Sequence, residues 1–132
     1  MYSSLSLSLI PVWVRLLSVL ALSSTLSSCA IHSNLNIPAG QEFVLGGNGN
    51  GRFKVELNNT GQPEVEVLED FASGKVVTIG KLAPNAKSKR RFSSGSAAIL
   101  RNPTDQDALV KVRITGDLRL GMVYEDAGQE LR

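Results

Sequence analysis

Beyond residue 40 the chain alternates hydrophobic and polar residues with a period of two. Phe53, Val55 and Leu57 alternate with Lys54, Glu56 and Asn58, and Val65 and Val67 with Glu64 and Glu66. Val110, Val112 and Ile114 alternate with Lys111, Arg113 and Thr115. Leu118, Leu120, Met122 and Tyr124 alternate with Arg119, Gly121, Val123 and Glu125. Successive side chains of a strand point to opposite faces, so this pattern predicts strands with one face on a core and one in water. Val55, Leu57, Val112 and Ile114 are expected to face inward. β-Branched residues dominate that inward set, as a pleated surface favours. No stretch after residue 40 carries a helical stripe of useful length.

Turn residues punctuate the strands. Gly46-Gly47-Asn48-Gly49-Asn50-Gly51 holds two Asn-Gly pairs, which supply the positive φ angles of a tight hairpin. Asn59-Thr60-Gly61-Gln62-Pro63, Ala72-Ser73-Gly74, Ala83-Pro84-Asn85 and Gly116-Asp117 mark further reversals. Strands spaced about every ten residues predict an all-β sandwich or barrel. We expect a small antiparallel β-sandwich of seven to eight strands.

There is an internal echo. Asn58-Asn59-Thr60-Gly61-Gln62 and Asn102-Pro103-Thr104-Asp105-Gln106 share Asn, Thr and Gln at the same offsets. Each follows an apolar strand and precedes a valine-rich one. They read as two β-arches with Asx- or Thr-capped loops, arisen by duplication or by convergence. On these arches the domain resembles the broad class of immunoglobulin-like sandwiches.

The N-terminal region reads differently. Arg15 precedes the short apolar run Leu16–Leu22, a Ser/Thr stretch follows, and Leu26-Ser27-Ser28-Cys29 closes it with the chain's only cysteine. A positive charge, an apolar stretch and a small-residue exit are the parts of an export signal. The pattern Leu-small-small-Cys resembles that of bacterial lipoproteins, the substrates of signal peptidase II. That resemblance implies that Cys29 is the first mature residue and that its sulfur and freed amine carry acyl chains. Each buried CH₂ adds about 0.8 kcal/mol of membrane affinity, so two or three chains anchor far more durably than one. Ala30 rather than Asp follows the cysteine. In Gram-negative members that implies an outer-membrane address. An ordinary cleaved export peptide and an uncleaved apolar anchor are the alternatives. The expected organisation is a signal peptide over 1–28, a flexible tether over 29–40, the sandwich over 41–126 and a tail over 127–132.

Composition narrows the chemistry. Without residues 1–28 the chain keeps Cys29 as its sole cysteine, so no intrachain disulfide can form and the core must suffice. The formal charge of +2, less Arg15, does not point to nucleic acid. The one tryptophan, Trp13, lies in the leader. His32 is the only histidine and falls in the expected tether. A catalytic histidine needs a rigidly held partner, so we expect neither Ser-His-Asp nor Cys-His chemistry, nor a zinc site of nitrogen and sulfur ligands.

The remaining constellations have plainer readings. The glycine run 46–51 lacks the Gly-Lys-Ser/Thr end of a phosphate loop. Asp105, Asp107 and Asp117 lack a calcium-loop spacing. Glu64, Glu66, Glu69 and Asp70 read as the outward face of an edge strand. No metal and no cofactor are expected. The one concentrated charge run is Lys87, Lys89, Arg90 and Arg91. It reads either as a patch for an anionic partner or as a lysine-rich edge that blocks strand pairing. The sequence therefore points to a non-enzymatic envelope module, held to the membrane through lipid on Cys29 and meeting an envelope protein partner. The alternative is a binding module for envelope glycan or anionic lipid, and a small hydrolase is the weakest reading.

Overall fold

The computed structural model describes residues 29–127, and these form nine strands and no helix. They are β1 (Ile31–Ile37), β2 (Gln41–Gly46), β3 (Phe53–Asn59), β4 (Val65–Asp70), β5 (Val76–Leu82), β6 (Lys87–Phe92), β7 (Ala97–Arg101), β8 (Ala108–Gly116) and β9 (Met122–Asp126). The signal-peptide reading of 1–28 and most of the tail lie outside the described residues. None of the described helices, there being none, could cross a membrane.

The strands form the antiparallel sandwich that the alternation predicts. One sheet has the order β1-β8-β3-β6 and the other β5-β4-β7-β2-β9. The first eight strands thus split into two interleaved four-stranded layers, the connectivity of a jelly roll. It shares the layered architecture of immunoglobulin-like sandwiches with its own strand order. The ninth strand adds to β2 and extends the second sheet.

Period two decides what each layer buries. Val55 and Leu57 sit opposite Ile114 and Val112, and all four are buried. From the facing sheet Phe43, Leu45, Val67 and Leu100 join the same core cluster. Phe53 and Phe92 are cross-strand partners whose rings stack with centroids 5.0 Å apart.

Three expectations are corrected. Residues 31–37 are not a tether: they form β1, paired with β8 from Ile31–Ile114 to Ile37–Ala108. Leu35 and Ile37 are 6% and 0% exposed while Asn34 and Asn36 face outward, so the period of two already runs through this segment. Secondly, the alternation from Leu118 to Tyr124 is not one strand. Leu118 and Leu120 pack on the core from a loop, and β9 begins only at Met122. Thirdly, β4 is not an edge, because β5 and β7 flank it.

The two arches are real, and their equivalent residues are Asn59 and Asn102 rather than Asn58 and Asn102. Both side chains are fully buried. Asn59 Nδ2 donates to the carbonyls of Pro63 and Leu82, and its Oδ1 accepts from Gly61 N. Asn102 Nδ2 donates to the carbonyls of Ile37 and Gln106, and its Oδ1 accepts from Thr104 N. A buried amide survives only when its donors and acceptor are matched. These two amides therefore fix where four strands enter and leave the sandwich.

Asp117 performs a similar task at the other end. Its carboxylate accepts Gly51 N–H at 2.7 Å and Arg119 Nε at 3.1 Å. The Gly51 N–H first, and then Arg119, hold its pKa down at about 2. A depressed carboxylate contributes stability that is complete above its unfolded pKa and is lost as pH falls toward the folded one. Thermal unfolding of the wild type should therefore weaken more steeply between about pH 4 and pH 2 than that of Asp117→Asn. Parallel curves for the two proteins would show that this contact contributes nothing. In the core, Leu57→Ala or Ile114→Ala should cost about 2–5 kcal/mol in denaturant melts, whereas Lys111→Ala should stay within about 0.5 kcal/mol. Equal losses would mean the wrong face is buried.

Candidate functional site

The same pairing that buries the core assembles a basic surface on the outside of the four-stranded sheet. Asn58 stands between Lys111 and Lys87. Glu56 stands between Arg113 and Lys89, with His32 beyond Arg113. Lys54 stands between Thr115 and Arg91. All these side chains share one face, because directly paired residues of an antiparallel sheet point the same way. Lys54, Lys87, Lys89, Arg91, Lys111 and Arg113 thus surround a single carboxylate, Glu56.

Glu56 neutralises part of this charge. Its carboxylate lies 3.1 Å from Arg113 Nη1 and 3.3 Å from Lys89 Nζ. The Arg113 hydrogen bond is the main cause that holds the Glu56 pKa below the usual carboxylate value, with Lys89 adding to it. Lys54, Lys87, Arg91 and Lys111 have no ion-pair partner among the described residues. Lys54 and Arg91 are even direct cross-strand partners. Like charges placed opposite each other destabilise a sheet.

Three members of the charge run belong to this face and one does not. Lys87, Lys89 and Arg91 point outward. Arg90 is the partner of inward-facing Val55 and points into the sandwich. Its Nε is buried without a hydrogen-bond partner, and its Nη2 passes 2.8 Å from where a Cβ on Gly80 would stand. Gly80 leaves the guanidinium its room. The run is eclipsed by its own periodicity: in a strand, neighbours in sequence lie on opposite faces. Sequence reasoning also missed Lys54, Lys111, Arg113 and His32 as members of the patch. The signal was present as the polar positions of the alternating strands, but only strand pairing brings those strands together.

The location separates the two readings of the run. β6 is an edge, so its lysines do guard it. Lys54, Lys111 and Arg113 lie on β3 and β8, which are interior strands. Edge protection does not account for them.

The outer face of the five-stranded sheet is of another kind. Val44, Leu68, Ala97 and Ile99 form a separate apolar cluster there. Val44, Ala97 and Ile99 floor a groove of about 770 Å³ rimmed by Glu42, Arg101, Asp70 and Glu125. The buried Glu42 accepts Arg101 Nε at 2.9 Å. Burial raises the Asp70 pKa above the usual carboxylate value. Of the acidic run, Glu66 lies 3.9 Å from Arg101, and the buried Glu69 accepts Ser93 N–H at 3.4 Å. Asp107 accepts Ala39 N–H at 3.3 Å at the end of β8 opposite Asp117. Among the described residues no group of acidic, histidine and cysteine side chains has metal-binding geometry.

No protein-family model matches the chain, and no curated protein matches it. Among solved structures it is similar to the Yersinia pseudotuberculosis-derived mitogen YPM. The identity is 12%, the alignment covers 72% of this chain and 96% of that one, and the TM-score is 0.45.

Proposed function

We propose that this chain is a non-enzymatic module of the bacterial cell envelope, anchored by lipid on Cys29, that binds an anionic partner surface through its basic sheet face. The observation that carries this reading is the set of unpaired cations on interior strands. Lys54 and Lys111 contribute nothing to the core and nothing to edge protection, and the Lys54–Arg91 pairing costs stability. A surface that keeps such a pair is arranged for an opposite charge from outside. Phosphate-bearing lipid headgroups suit a broad, nearly flat patch, since each basic residue near an anionic membrane adds about 1 kcal/mol. An acidic envelope protein is the competing partner.

The anchor fits this placement. Cys29 is exposed and stands two residues before the start of β1. β1 belongs to the same sheet as the basic face. A lipid there would hold the domain close to the membrane on the layer that carries the cations, and not on a long leash.

Two experiments test the reading. Cys29→Ser should abolish incorporation of labelled fatty acid and leave an uncleaved or soluble protein; an unmodified Cys29 in the wild type would end the anchor proposal. For the face, the unlipidated chain from Ala30, checked first for cooperative unfolding, is titrated with anionic and neutral vesicles. It should bind the anionic ones only and lose affinity steeply with salt. Replacing Lys54, Lys87, Arg91 and Lys111 with Ser should remove as much as about 4 kcal/mol, roughly a thousandfold. Vesicle binding by wild type that ignores salt or the four substitutions would overturn the proposal. No vesicle binding, with salt-sensitive capture of one acidic envelope protein, would transfer the face to a protein partner.

A further inference from the structure

The sandwich has four sheet edges, and they are not equally guarded. β6 carries its lysines outward. β5 has Lys81 on the outer side and an irregular register opposite Val67 and Leu68. β1 exposes only His32, Asn34 and Asn36 and is followed by Pro38. Lysine, bulges, polar residues and proline are the ordinary protections of an edge. β9 has no lysine, bulge or proline, and its two charged residues, Glu125 and Asp126, stand only at its end. Met122, Val123 and Tyr124 stand in a row, 44%, 49% and 48% exposed, on a strand with no second neighbour among the described residues.

The backbone of β9 is also free in a defined way. Gly46 N donates to Gly121 O at 2.8 Å, and Ala127 N donates to Gly40 O at 3.1 Å. Amide direction alternates along a strand, so Gly121, Val123, Glu125 and Ala127 bond toward β2. The N–H and C=O of Met122, Tyr124 and Asp126 point to the open edge. Unpaired strand groups of this kind are a template for another strand.

We infer that β9 pairs antiparallel with β9 of a second copy, about a twofold axis at Tyr124. The sequence Met-Val-Tyr-Glu-Asp selects this partner and this register. Centring on Tyr124 lets all five residues pair. It places Tyr124 against Tyr124 of the second copy, Met122 against Asp126 and Val123 against Glu125. Centring on Glu125 or Asp126 sets carboxylate against carboxylate, which is destabilising. Centring on Met122 or Val123 runs off the strand into the loop before it. The five-stranded sheets of the two copies then join into one continuous sheet. An axis of this kind is perpendicular to the sheet, so each face of one copy continues as the same face of the other. The two basic faces consequently look the same way and meet one flat surface together. The dimer itself does not depend on what that surface is.

A single strand pair buries too little for a tight complex in solution and belongs to the weak class. Confinement on a common membrane raises effective concentration and compensates. The test is therefore made on the full-length chain in membranes. A hydrogen-bonded cross-strand pair has Cα atoms about 5.5 Å apart, within disulfide reach. Tyr124→Cys should give a covalent homodimer on mild oxidation, several-fold above the wild type, whose Cys29 sets the baseline. Val123→Cys should stay at that baseline, because its diagonal separation of about 7–8 Å exceeds disulfide reach. Since Tyr124 packs edge-on against Phe43 with centroids 5.2 Å apart, a second pair keeps it in place. Met122→Cys and Asp126→Cys, co-expressed, should crosslink as the mixed dimer far more than either does alone. Equal crosslinking of Tyr124→Cys and Val123→Cys, crosslinking only to another protein, or no excess of the mixed dimer would each overturn the inference. None of these outcomes bears on vesicle binding by the basic face.

Discussion

The pairing of β3 with β8, from Phe53–Gly116 to Asn59–Val110, is the contact on which the rest depends. These are the two interior strands of the four-stranded sheet, so they place both neighbours as well. One side of the pairing makes the central rows of the core, with Val55 against Ile114 and Leu57 against Val112. The other side makes the central rows of the basic surface, with Glu56 against Arg113 and Asn58 against Lys111. A slip of one residue would turn every side chain to the wrong face. Core and surface are thus two readings of one register, and neither can change without the other.

This coupling explains why the basic surface can persist despite its own repulsion. Exposed charges typically shift stability by less than about 1 kcal/mol per pair. A buried leucine or isoleucine contributes several times that. The register is therefore chosen by the core, and the outer rows are free to hold residues the fold would not select. Gly116 marks how tight the end of this pairing is. A Cβ there would come within 2.7 Å of Arg52 O, and its φ of 99° is one that glycine adopts readily.

Much of the fold was legible because hydrophobic alternation survives in single strands. The alternating strands, the turns after β3, β4 and β5, and the inward set Val55, Leu57, Val112 and Ile114 could be read directly. β1 was obscured by its position beside the leader and by its short polar residues, although Leu35 and Ile37 alternate like any other strand. The β9 alternation was overextended because Leu118 and Leu120 are apolar for another reason, packing on the core from a loop. The Asn-x-Thr echo lies one residue out of step with the first arch, since Asn58 and Asn59 are chemically alike and only burial distinguishes them. The basic site was half legible. A run of charges advertises itself in sequence, but a strand divides any run between two faces. Thus the run in sequence contains Arg90, which faces inward, and lacks Lys54, Lys111 and Arg113, which join the surface only when three non-adjacent segments pair.

The two outer faces divide the domain's work by physical character. Apart from the exposed Leu109, the four-stranded sheet presents cations and polar groups, so the anionic partner proposed for it would be held by charge and would answer to salt. The five-stranded sheet presents an apolar floor with a closed Glu42–Arg101 pair, and its open strand lies at the side, not on the face. Association through that side leaves both outer faces uncovered. It also keeps the layer bearing Cys29 and the cations turned in one direction in both copies. If Cys29 carries the proposed lipid, that anchor, the two basic faces and the inferred twofold axis are mutually compatible constraints: each would restrict the same orientation of the domain toward a planar surface, and satisfying one would raise the local concentration at which the others act.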